Sequence, residues 1–456
     1  MFDPSVAALF PLPLSTFEKY MLLDDRPDYP MVFAFRLKLR GELRREVFES
    51  ALDEALLRHP LLCALVMHSA QGIVWTLAGE LKPTIDWAVL GVAIGSPRGE
   101  RIDLNAEVGL RIWVRQGEGV AELTMQFHHA CCDGIGAIRF IGHVLAAYGM
   151  NTAPAGRRPT LYSSDPAGLP SRGRFAAQIP SRESPARSIW ENVRDGVRFI
   201  SRRPAILRHS GAAMPEAATQ LAFLETYQHT FDETDTGKIT QEAARQGVTV
   251  NDLLLRDLFQ TLHQWNADRK SDAAKQWLRI AVPVNLKTGE NDRMSAANGV
   301  GYTFLTRNGS QCADSLGLLN GIHRETDVII RRRRAMLFLR GFQLMERIPG
   351  AIPLYMGMNR CFATAVLSNL GDVKRHFGAS FPIESEKIVA GNVMLEDIFA
   401  APPVRPNTRA AFMICKYANT LRLCVRCDPR TFSANDARQL LSCYINRIVE
   451  VKPKGL

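Results

Sequence analysis

The length and composition of the chain are those of a globular protein of two or three domains. It has 456 residues, 46% of them hydrophobic and 22% charged, a balance that excludes wholesale disorder. Domains of roughly 100–200 residues give the domain count. The net charge of +10 favours an acidic partner, such as a phosphorylated cofactor, an acidic carrier protein or anionic lipid. The basic residues are dispersed and form no zinc-finger, RRM or basic-zipper signature, so nucleic acid is not expected.

The cysteine pattern and the lengths of the apolar segments give expectations about the cellular location of the protein. Nine cysteines, an odd number without paired CxxC spacing, argue against a disulfide framework and a zinc module, and for a reduced setting. The first residues, MFDPSVAALFPLPLS, lack the basic region of a signal peptide. No apolar run reaches the ~18 residues that a membrane span requires. The reduced setting that the cysteines favour leads us to expect a cytoplasmic protein.

The first part of the chain alternates strands and helices. β-Branched and aromatic content predicts strands over residues 31–39, 61–66, 73–77, 110–114 and 122–129. Helical spacing of apolar residues predicts helices after a Ser15 cap with Glu18 at capping-box spacing, over 45–58 and over 137–148.

A Pro-, Gly-, Ser- and Arg-rich stretch over residues 150–185 predicts a linker, and the alternation then restarts. Predicted strands cover residues 222–231, 278–284, 300–306, 363–368 and 421–427. Predicted helices cover residues 250–265, capped by Thr249, 311–350 and 433–449. We therefore predict a lobe over 1–170, a basic linker helix over 171–215 and a second lobe over 216–456.

The candidate chemistry is concentrated in one segment, Phe127-His128-His129-Ala130-Cys131-Cys132-Asp133-Gly134. Because side chains alternate along a strand, His129 shares the apolar face of Leu123 and Met125, whereas His128 faces the other side. Two histidines that face opposite sides bind one zinc ion poorly, so no metal site is predicted. Desolvation on an apolar face lowers the pKa of an imidazole and keeps it neutral near pH 7, as a general base requires.

Each of these residues also has a purely structural interpretation. A histidine among apolar side chains is commonly a core residue, and Asp133 at a helix start is a typical N-cap. Cys131 and Cys132 are expected to be small buried side chains rather than nucleophiles. The combination of all these residue types at a strand–turn–helix junction favours a catalytic site.

This pattern resembles the HHxxxDG signature of the CoA-dependent acyltransferase superfamily. That group includes chloramphenicol acetyltransferase-like enzymes, nonribosomal peptide condensation domains, wax ester synthases and polyketide-associated acyltransferases. Further stretches in the family's order extend the resemblance from residue 13 to about 430: Pro13-Leu14-Ser15, Arg58-His59-Pro60-Leu61-Leu62, Val250-Asn251-Asp252-Leu253, Val282-Pro283-Val284-Asn285-Leu286, Ala297-Asn298 and Leu367-Ser368-Asn369-Leu370-Gly371. The DFGWG stretch of condensation domains is not found, which favours a stand-alone acyltransferase.

The resemblance implies an α/β fold of two chloramphenicol acetyltransferase-like lobes, arranged as a V around a central tunnel. His129 would be the general base, beside His128 in the motif, and Gly134 would allow close approach of the chain. Asp133 would form a structural ion pair between the lobes.

The same resemblance implies further site residues in the second lobe. The ion-pair partner of Asp133 would be Lys287, which stands where many relatives have an arginine, or alternatively Arg279. The expected substrate-binding residues are Ser368, Asn369, Gly371 and Asn298. The oxyanion donor would be Asn369 or a backbone N–H group.

By resemblance, the protein would transfer an acyl group from a CoA or carrier-protein thioester to an alcohol or amine. No bound cofactor is expected, because the acyl-CoA or the phosphopantetheine-carried thioester is a co-substrate. The alternatives are an amide-forming condensation protein of the nonribosomal-peptide type and an inactive module that recruits carrier proteins. We expect a monomer whose partners are the acyl donor and a small-molecule or lipid acceptor.

Two basic stretches have two interpretations each. Arg331-Arg332-Arg333-Arg334 predicts either a contact with CoA phosphates or carrier protein, or a solvated helix face. The segment over residues 182–209, with Trp190, Val193, Val197 and Ile200 on one stripe, predicts either peripheral contact with anionic lipid or a helix packed on the core.

Overall fold

The computed structural model describes residues 2–70, 72–173, 194, 196–209, 223–269, 272–287, 293–332, 334–358 and 360–450. Its helices are α1 (Pro4–Ala7), α2 (Thr16–Leu23), α3 (Arg45–Leu57), α4 (Gly134–Thr152), α5 (Glu233–Gln246), α6 (Val250–Asp268), α7 (Gly309–Ala313), α8 (Ser315–Arg331), α9 (Met336–Glu346), α10 (Ala351–Gly357) and α11 (Ala434–Val449). Its strands are β1 (Leu12–Pro13), β2 (Val32–Arg40), β3 (Ala64–Ser69), β4 (Gly72–Leu77), β5 (Thr84–Val89), β6 (Leu110–Gly117), β7 (Val120–His128), β8 (Thr160–Leu161), β9 (Tyr227–Phe231), β10 (Trp277–Asn285), β11 (Val300–Asn308), β12 (Ala365–Asp372), β13 (Ala379–Ser380), β14 (Ile383–Glu384), β15 (Lys387–Ala390), β16 (Val393–Ala401), β17 (Ala410–Tyr417) and β18 (Thr420–Cys427).

A seven-stranded sheet forms the first half of the molecule, in the order β14-β15-β16-β2-β7-β6-β5. All its pairings are antiparallel except β5 with β6. Helices α3 and α4 pack together beside it. The rings of Phe33 on β2 and Phe127 on β7 stack at 5.4 Å, and Phe140 of α4 closes on Phe127 at 6.0 Å. This core holds the motif-bearing end of β7 in place.

A six-stranded sheet forms the second half, in the order β11-β10-β12-β17-β18-β9. Strand β12 is parallel to both of its neighbours, β10 and β17. Helices α6 and α11 pack together over a core that includes Phe259, Phe412 and Tyr444. The sheet places β10 and β12 side by side.

The two halves share one sheet, because β16 pairs with β2 along its length. This strand lies within the range 216–456 predicted as the second lobe, yet it completes the sheet of the first. Its apolar run is buried, with Leu395 and Ile398 almost fully covered, and two covered faces explain the lack of polar–apolar alternation. The boundaries at residues 170 and 215 stay predictions.

Several local predictions are confirmed. Ser15 and Glu18 form a capping box at α2, and Thr249 and Asp252 form another at α6. The prediction of a strand over 61–66 is wrong at its start: residues Pro60–Cys63 form a 3₁₀ turn, and β3 begins at Ala64. Proline cannot donate a ladder hydrogen bond but is well suited to the first position of a helical turn.

Candidate active site

The motif segment folds as a strand, a turn and a helix. Strand β7 ends at His128, residues 129–132 lead into the turn, and α4 begins at Gly134. The His129 N–H donates to the carbonyl of Met31 at 2.8 Å, which ties the turn to the start of β2. Asp133 is the N-cap of α4, since its Oδ1 accepts from the Gly136 N–H at 2.7 Å. Because both ends of the turn are hydrogen-bonded, the position of the imidazole is set by the backbone.

His129 lines a cavity of about 280 Å³ that is bounded by both halves of the chain. Its ring lies 4.9 Å from the ring of Phe33, centre to centre. Burial lowers the pKa of His129, while its own carbonyl and the Asp133 carboxylate oppose the shift. The imidazole is therefore neutral at pH 7 and able to accept a proton.

Asn298 fixes the backbone that carries this imidazole. Its Nδ2 donates to the carbonyl of His129 at 2.8 Å and to that of Ala130 at 2.9 Å. The Nδ1 of His129 and the Oδ1 of Asn298 are both buried, and neither has a partner of normal hydrogen-bond geometry among the described residues. Asn298, which lies in the second half of the chain, therefore orients His129 by holding the main chain of His129 and Ala130.

His128 faces away from the cavity, as strand alternation predicts. Its Nδ1 accepts from the Ala130 N–H at 3.1 Å, and its Nε2 lies 3.7 Å from Oδ2 of Asp25. That carboxylate also accepts from Arg101 at 2.7 Å. His128 is buried, and these contacts make it a structural support of the turn.

Asp133 is paired with Lys287 across the two halves of the molecule. The Lys287 Nζ lies 3.3 Å from Oδ2 of Asp133, and it donates to the carbonyl of Ala297 at 2.8 Å. Oδ2 also accepts from the Gly299 N–H at 2.7 Å. A Cβ on Gly299 would lie 2.2 Å from Cε of Lys287, so only glycine leaves room for the lysine to pass.

Arg279, the alternative partner predicted for Asp133, lies in a different environment. Its guanidinium donates to the carbonyls of Phe199 and Arg202, each at 2.8 Å, and to Thr306 at 3.0 Å. It also stacks over the ring of Phe199 at 4.0 Å. Arg279 therefore holds the segment before β9 against β10, and the prediction that placed it beside Asp133 is corrected. Arg279 lies near the start of β10, whereas Lys287 follows the end of this strand, so the length of the strand separates Arg279 from Asp133.

Only one of the three substrate-binding residues predicted on β12 reaches the cavity. Ser368 lines it together with Leu370. Asn369 faces the other side of the strand and donates to Oδ1 of Asn251 at 3.2 Å, and Gly371, with φ of +64°, donates to Oδ1 of Asn369. Strand alternation explains the difference, and it removes the Asn369 side chain as an oxyanion donor. Gly134 does line the cavity, where a Cβ would lie 3.0 Å from Leu370.

Comparison with solved structures identifies the architecture. The condensation domain of the monacolin K polyketide synthase MokA is 13% identical, with a TM-score of 0.61 and coverage of 96% of both chains. The chain has the condensation-domain fold. TRI3 trichothecene 15-O-acetyltransferase from Fusarium sporotrichioides has a TM-score of 0.67 at 12% identity, covering 96% of this chain and 94% of its own. Polyketide synthase associated protein 5 from Mycobacterium tuberculosis has a TM-score of 0.58 at 15% identity, covering 97% and 98%. No protein-family model matches the sequence, and no curated protein does.

The condensation-domain fold brings together residues that the sequence did not mark as functional. Eight of the thirty residues that line the cavity are aromatic, against 8% of the whole chain. They come from α2, β2, β11, α9, α10 and the segment before β12. In the sequence, these residues are recognisable only as tyrosines and phenylalanines near the motif stretches. Nothing in that pattern predicts that they share one surface.

A second pair of histidines was also missed. The Nε2 of His59 lies 2.9 Å from Nδ1 of His143, and Nε2 of His143 lies 3.1 Å from the carbonyl of Gly378. The Ala296 N–H donates to Nδ1 of His59 at 2.7 Å. In each ring Nδ1 accepts a hydrogen bond and Nε2 donates one, so both imidazoles are in the neutral form. The pair ties α4 to the loop that carries Asn298.

We predict that this pair makes the protein sensitive to acid. Burial lowers the pKa of His143 from 6.5 to about 4, and burial followed by the charge of His143 lowers that of His59 well below 6.5; Arg58 and Arg139 add to both effects. Because the unfolded chain takes up protons first, stability is complete above pH 6.5 and is lost as pH falls from 6.5 towards 4. His143 alone contributes about 3 kcal/mol to that loss. Urea unfolding followed between pH 7 and pH 4 measures it.

The matched variant for that experiment is His143→Gln, which keeps polar groups near the contact but does not titrate. Its unfolding free energy should fall less steeply over the same pH range than that of the wild type. If the unfolding free energies of the two proteins fell equally steeply with pH, protonation of His143 would not contribute to the loss of stability in acid.

The described residues contain no cluster of three His, Cys, Asp or Glu side chains with metal-site geometry. Burial raises the pKa of the Cys131 and Cys132 thiols well above their usual value, which disfavours either as a nucleophile at neutral pH. In the part of the chain that the structure covers, no helix is both long and apolar enough to cross a membrane.

The structure describes only part of the two basic stretches and does not decide between their two interpretations. Arg331 is exposed and pairs with Asp327 one turn earlier on α8. Val197 and Ile200 are exposed, so these two positions of the apolar stripe are not packed on the core. Trp190, Val193 and Arg333 lie outside the described residues. Contact with lipid, with CoA phosphates or with a carrier protein stays a prediction for both stretches.

Proposed function

We propose that the protein is a stand-alone acyltransferase that moves an acyl group from a CoA or carrier-protein thioester to an alcohol or amine, with His129 as the general base. The observation that carries this proposal is a neutral, half-buried imidazole on the wall of a cavity bounded by both halves of the chain. Solved proteins of this fold support it, since they include an acetyltransferase and a starter condensation domain in complex with C8-CoA and Leu-SNAC.

The proposed reaction uses one base and no covalent enzyme intermediate. The acceptor O–H or N–H attacks the thioester carbonyl carbon as its proton moves to Nε2 of His129. The carbonyl π electrons move onto oxygen and return as the C–S bond breaks. The imidazolium then gives its proton to the leaving thiolate, so the base is regenerated and the free thiol departs. A cavity that encloses this step limits hydrolysis of the thioester.

We assign the oxyanion contact to Ser368. Ser368 lines the same cavity as His129, and its hydroxyl has no hydrogen-bond partner among the described residues. Removal of one oxyanion donor typically costs about 10²–10³-fold in kcat. We expect Ser368→Ala to fall near the low end of that range, because a water molecule fills the space left by a small hydroxyl. Initial rates at saturating substrate measure the effect, and an unchanged kcat would exclude Ser368 from the role.

The pH dependence of kcat/KM tests the base directly. Because burial lowers the pKa of His129, the rate should rise with pH along an acidic limb centred below 6.5 and be level at pH 7–8. The limb should vanish in His129→Ala, whose residual rate does not depend on this group. A limb that persists in the variant would assign the titration to another residue.

Two alternatives are distinguished by the same assay. An amide-forming condensation protein would transfer acyl groups to amines and to carrier-bound amino acids, but not to alcohols. An inactive recruiting module would bind a carrier protein and transfer nothing. The ion pair of Asp133 and the neutral His129 favour turnover. A tunnel open at both ends, a monomeric state and a cytoplasmic location belong to the proposal as well.

The decisive experiment offers the purified protein acyl-CoA donors of increasing chain length, each with an alcohol and an amine acceptor. Products are identified by mass spectrometry, and His129→Ala serves as the blank. Product above the blank with at least one acceptor supports the proposal. If every donor, including a phosphopantetheinylated carrier protein, yields only background, the acyltransferase assignment is wrong.

A further inference from the structure

Aromatic rings in mutual contact form one part of the wall of the cavity beside His129. Phe338 of α9 lies at the centre of this wall, 5.4 Å from Tyr20, 5.6 Å from Tyr302 and 6.0 Å from Phe304, measured between ring centres. All four residues line the cavity. The contacts of Phe338 with the two tyrosines are edge-on, an arrangement that aromatic pairs prefer.

The wall also carries three hydroxyl groups, those of Tyr20, Tyr302 and Tyr355. All three residues line the cavity, and none of the hydroxyls makes a hydrogen bond with the described residues. Burial raises the pKa of each, to about 12 for Tyr355 and further for Tyr20 and Tyr302, and the carboxylate of Asp24 adds to all three shifts. The hydroxyls are therefore protonated donors around one charged group.

That charged group is itself satisfied by protein. The Arg405 Nε donates to Oδ2 of Asp24 at 2.8 Å, and both residues line the cavity beside the tyrosines. The hydroxyls are thus left with hydrogen-bonding capacity that the described residues do not use, in a cavity whose lining is mostly apolar. Unused donors of this kind are the usual means by which a site selects one ligand.

We propose that this cavity binds a rigid ring system, aromatic or fused polycyclic, that carries an oxygen function at the end remote from the reacting group. The ring body packs against Phe338 and its neighbours, and the oxygen function accepts hydrogen bonds from Tyr20, Tyr302 and Tyr355. The role of this ligand as a substrate rests on the proposed acyl transfer. An alkyl chain fits the same space but leaves all three donors unpaired, which disfavours it.

Two substrates can present such a ring system: the acceptor, or the acyl group of the donor. The chemistry recognised by the cavity is the same in both, and transfer assays distinguish them. One assay pairs octanoyl-CoA with 6-(2-hydroxyethyl)-2-naphthol. The other pairs 6-hydroxy-2-naphthoyl-CoA with 1,12-dodecanediol. Ester in the first assigns the cavity to the acceptor, and ester in the second assigns it to the acyl group.

Binding is measured separately, on the His129→Ala protein without an acyl donor, so that no transfer occurs. The probes are 6-(2-hydroxyethyl)-2-naphthol and 1,12-dodecanediol, which have equal numbers of carbon and oxygen atoms. We expect the naphthol to bind at least 10-fold more tightly by calorimetry. Equal affinity, or tighter binding of the diol, would overturn the proposal. Ring binding without product in either transfer assay would contradict the proposed acyl transfer and leave the assignment of the cavity standing.

Two substitutions on one helix provide a matched pair. Phe338 lines the cavity, whereas Phe342 lies one turn later in the same aromatic cluster, 5.0 Å from Tyr20, but does not line it. Phe338→Leu should weaken naphthol binding about 10-fold and leave binding of the diol within 2-fold. Phe342→Leu should leave both unchanged. Equal losses for the two variants would mean that ring binding reflects packing of the cluster rather than contact with the ligand.

The hydroxyl groups are tested by the double variant Tyr302→Phe, Tyr355→Phe, which keeps both rings. It should lower the affinity for the naphthol about 10-fold and leave the affinity for 2-ethylnaphthalene, which lacks oxygen, unchanged. A loss of the same size for both ligands would contradict a hydrogen-bonding role.

Discussion

Replacement of His129 by alanine is expected to reduce the rate of acyl transfer by ~10²–10⁴-fold, the usual contribution of a general base. The imidazole lines the cavity, it is neutral at pH 7 because burial lowers its pKa, and its main chain is held by Asn298 and Met31. Loss of the ring removes the acceptor for the proton and leaves the backbone contacts intact. Steady-state rates with the best donor and acceptor found measure the effect.

His128 supplies the matched control, because it is the neighbouring histidine and faces the other side of the strand. His128→Ala should reduce the rate less than His129→Ala does but lower the melting temperature more, since it removes the acceptor for the Ala130 N–H and the neighbour of Asp25. The residual activity of each variant must be compared at equal folded fraction. Wild-type rates in both variants would show that neither imidazole is the base.

Replacement of Asp133 by alanine is expected to lower the free energy of unfolding by ~3–5 kcal/mol. The change leaves Lys287 buried without its counter-charge, and it removes the N-cap of α4 and the acceptor for the Gly299 N–H. The melting temperature should therefore fall further than in His129→Ala. Urea denaturation of the purified variants measures the difference. If Asp133→Ala had wild-type stability but no activity, Asp133 would have to act on the substrate directly.

Double-mutant cycles distinguish Lys287 from Arg279 as the partner of Asp133. Asp133→Asn keeps the size of the side chain and its capping oxygen, and it removes the charge together with the acceptor for the Gly299 N–H. The effects of Asp133→Asn and Lys287→Met on stability should be non-additive, because Nζ of Lys287 lies 3.3 Å from Oδ2 of Asp133. The effects of Asp133→Asn and Arg279→Met should be additive, because Arg279 bonds to other groups. The opposite pattern would overturn the assignment of the ion pair.

Gly299→Ala tests the same contact from its other side. The Cβ would occupy the path of the Lys287 side chain, so the lysine must move away from Asp133. The stability of this variant should approach that of Lys287→Met, and the two changes combined should cost little more than either alone. A stability equal to that of the wild type would mean that Lys287 reaches Asp133 by another route.

Local patterns in the sequence determine much of this protein. Alternation along β7 places His129 and His128 on opposite faces without any tertiary information. The caps at Ser15, Asp133 and Thr249 are likewise local, because each side chain bonds to a backbone N–H within three residues. The ordered motif stretches indicate the condensation-domain fold that the solved structures share.

The tertiary structure alone decides the contacts between segments that are far apart in the chain. Strand β16 pairs with β2, more than 350 residues earlier, and a buried apolar strand carries no sign of which partner will cover it. The choice of Lys287 over Arg279 depends on which end of β10 lies beside Asp133. The loss of Asn369 from the cavity depends on the face that β12 presents. The rings of Tyr20, Tyr302, Phe338 and Tyr355 become one surface only when both sheets and α9 are in place. Such arrangements arise from long-range packing, which local periodicity does not encode.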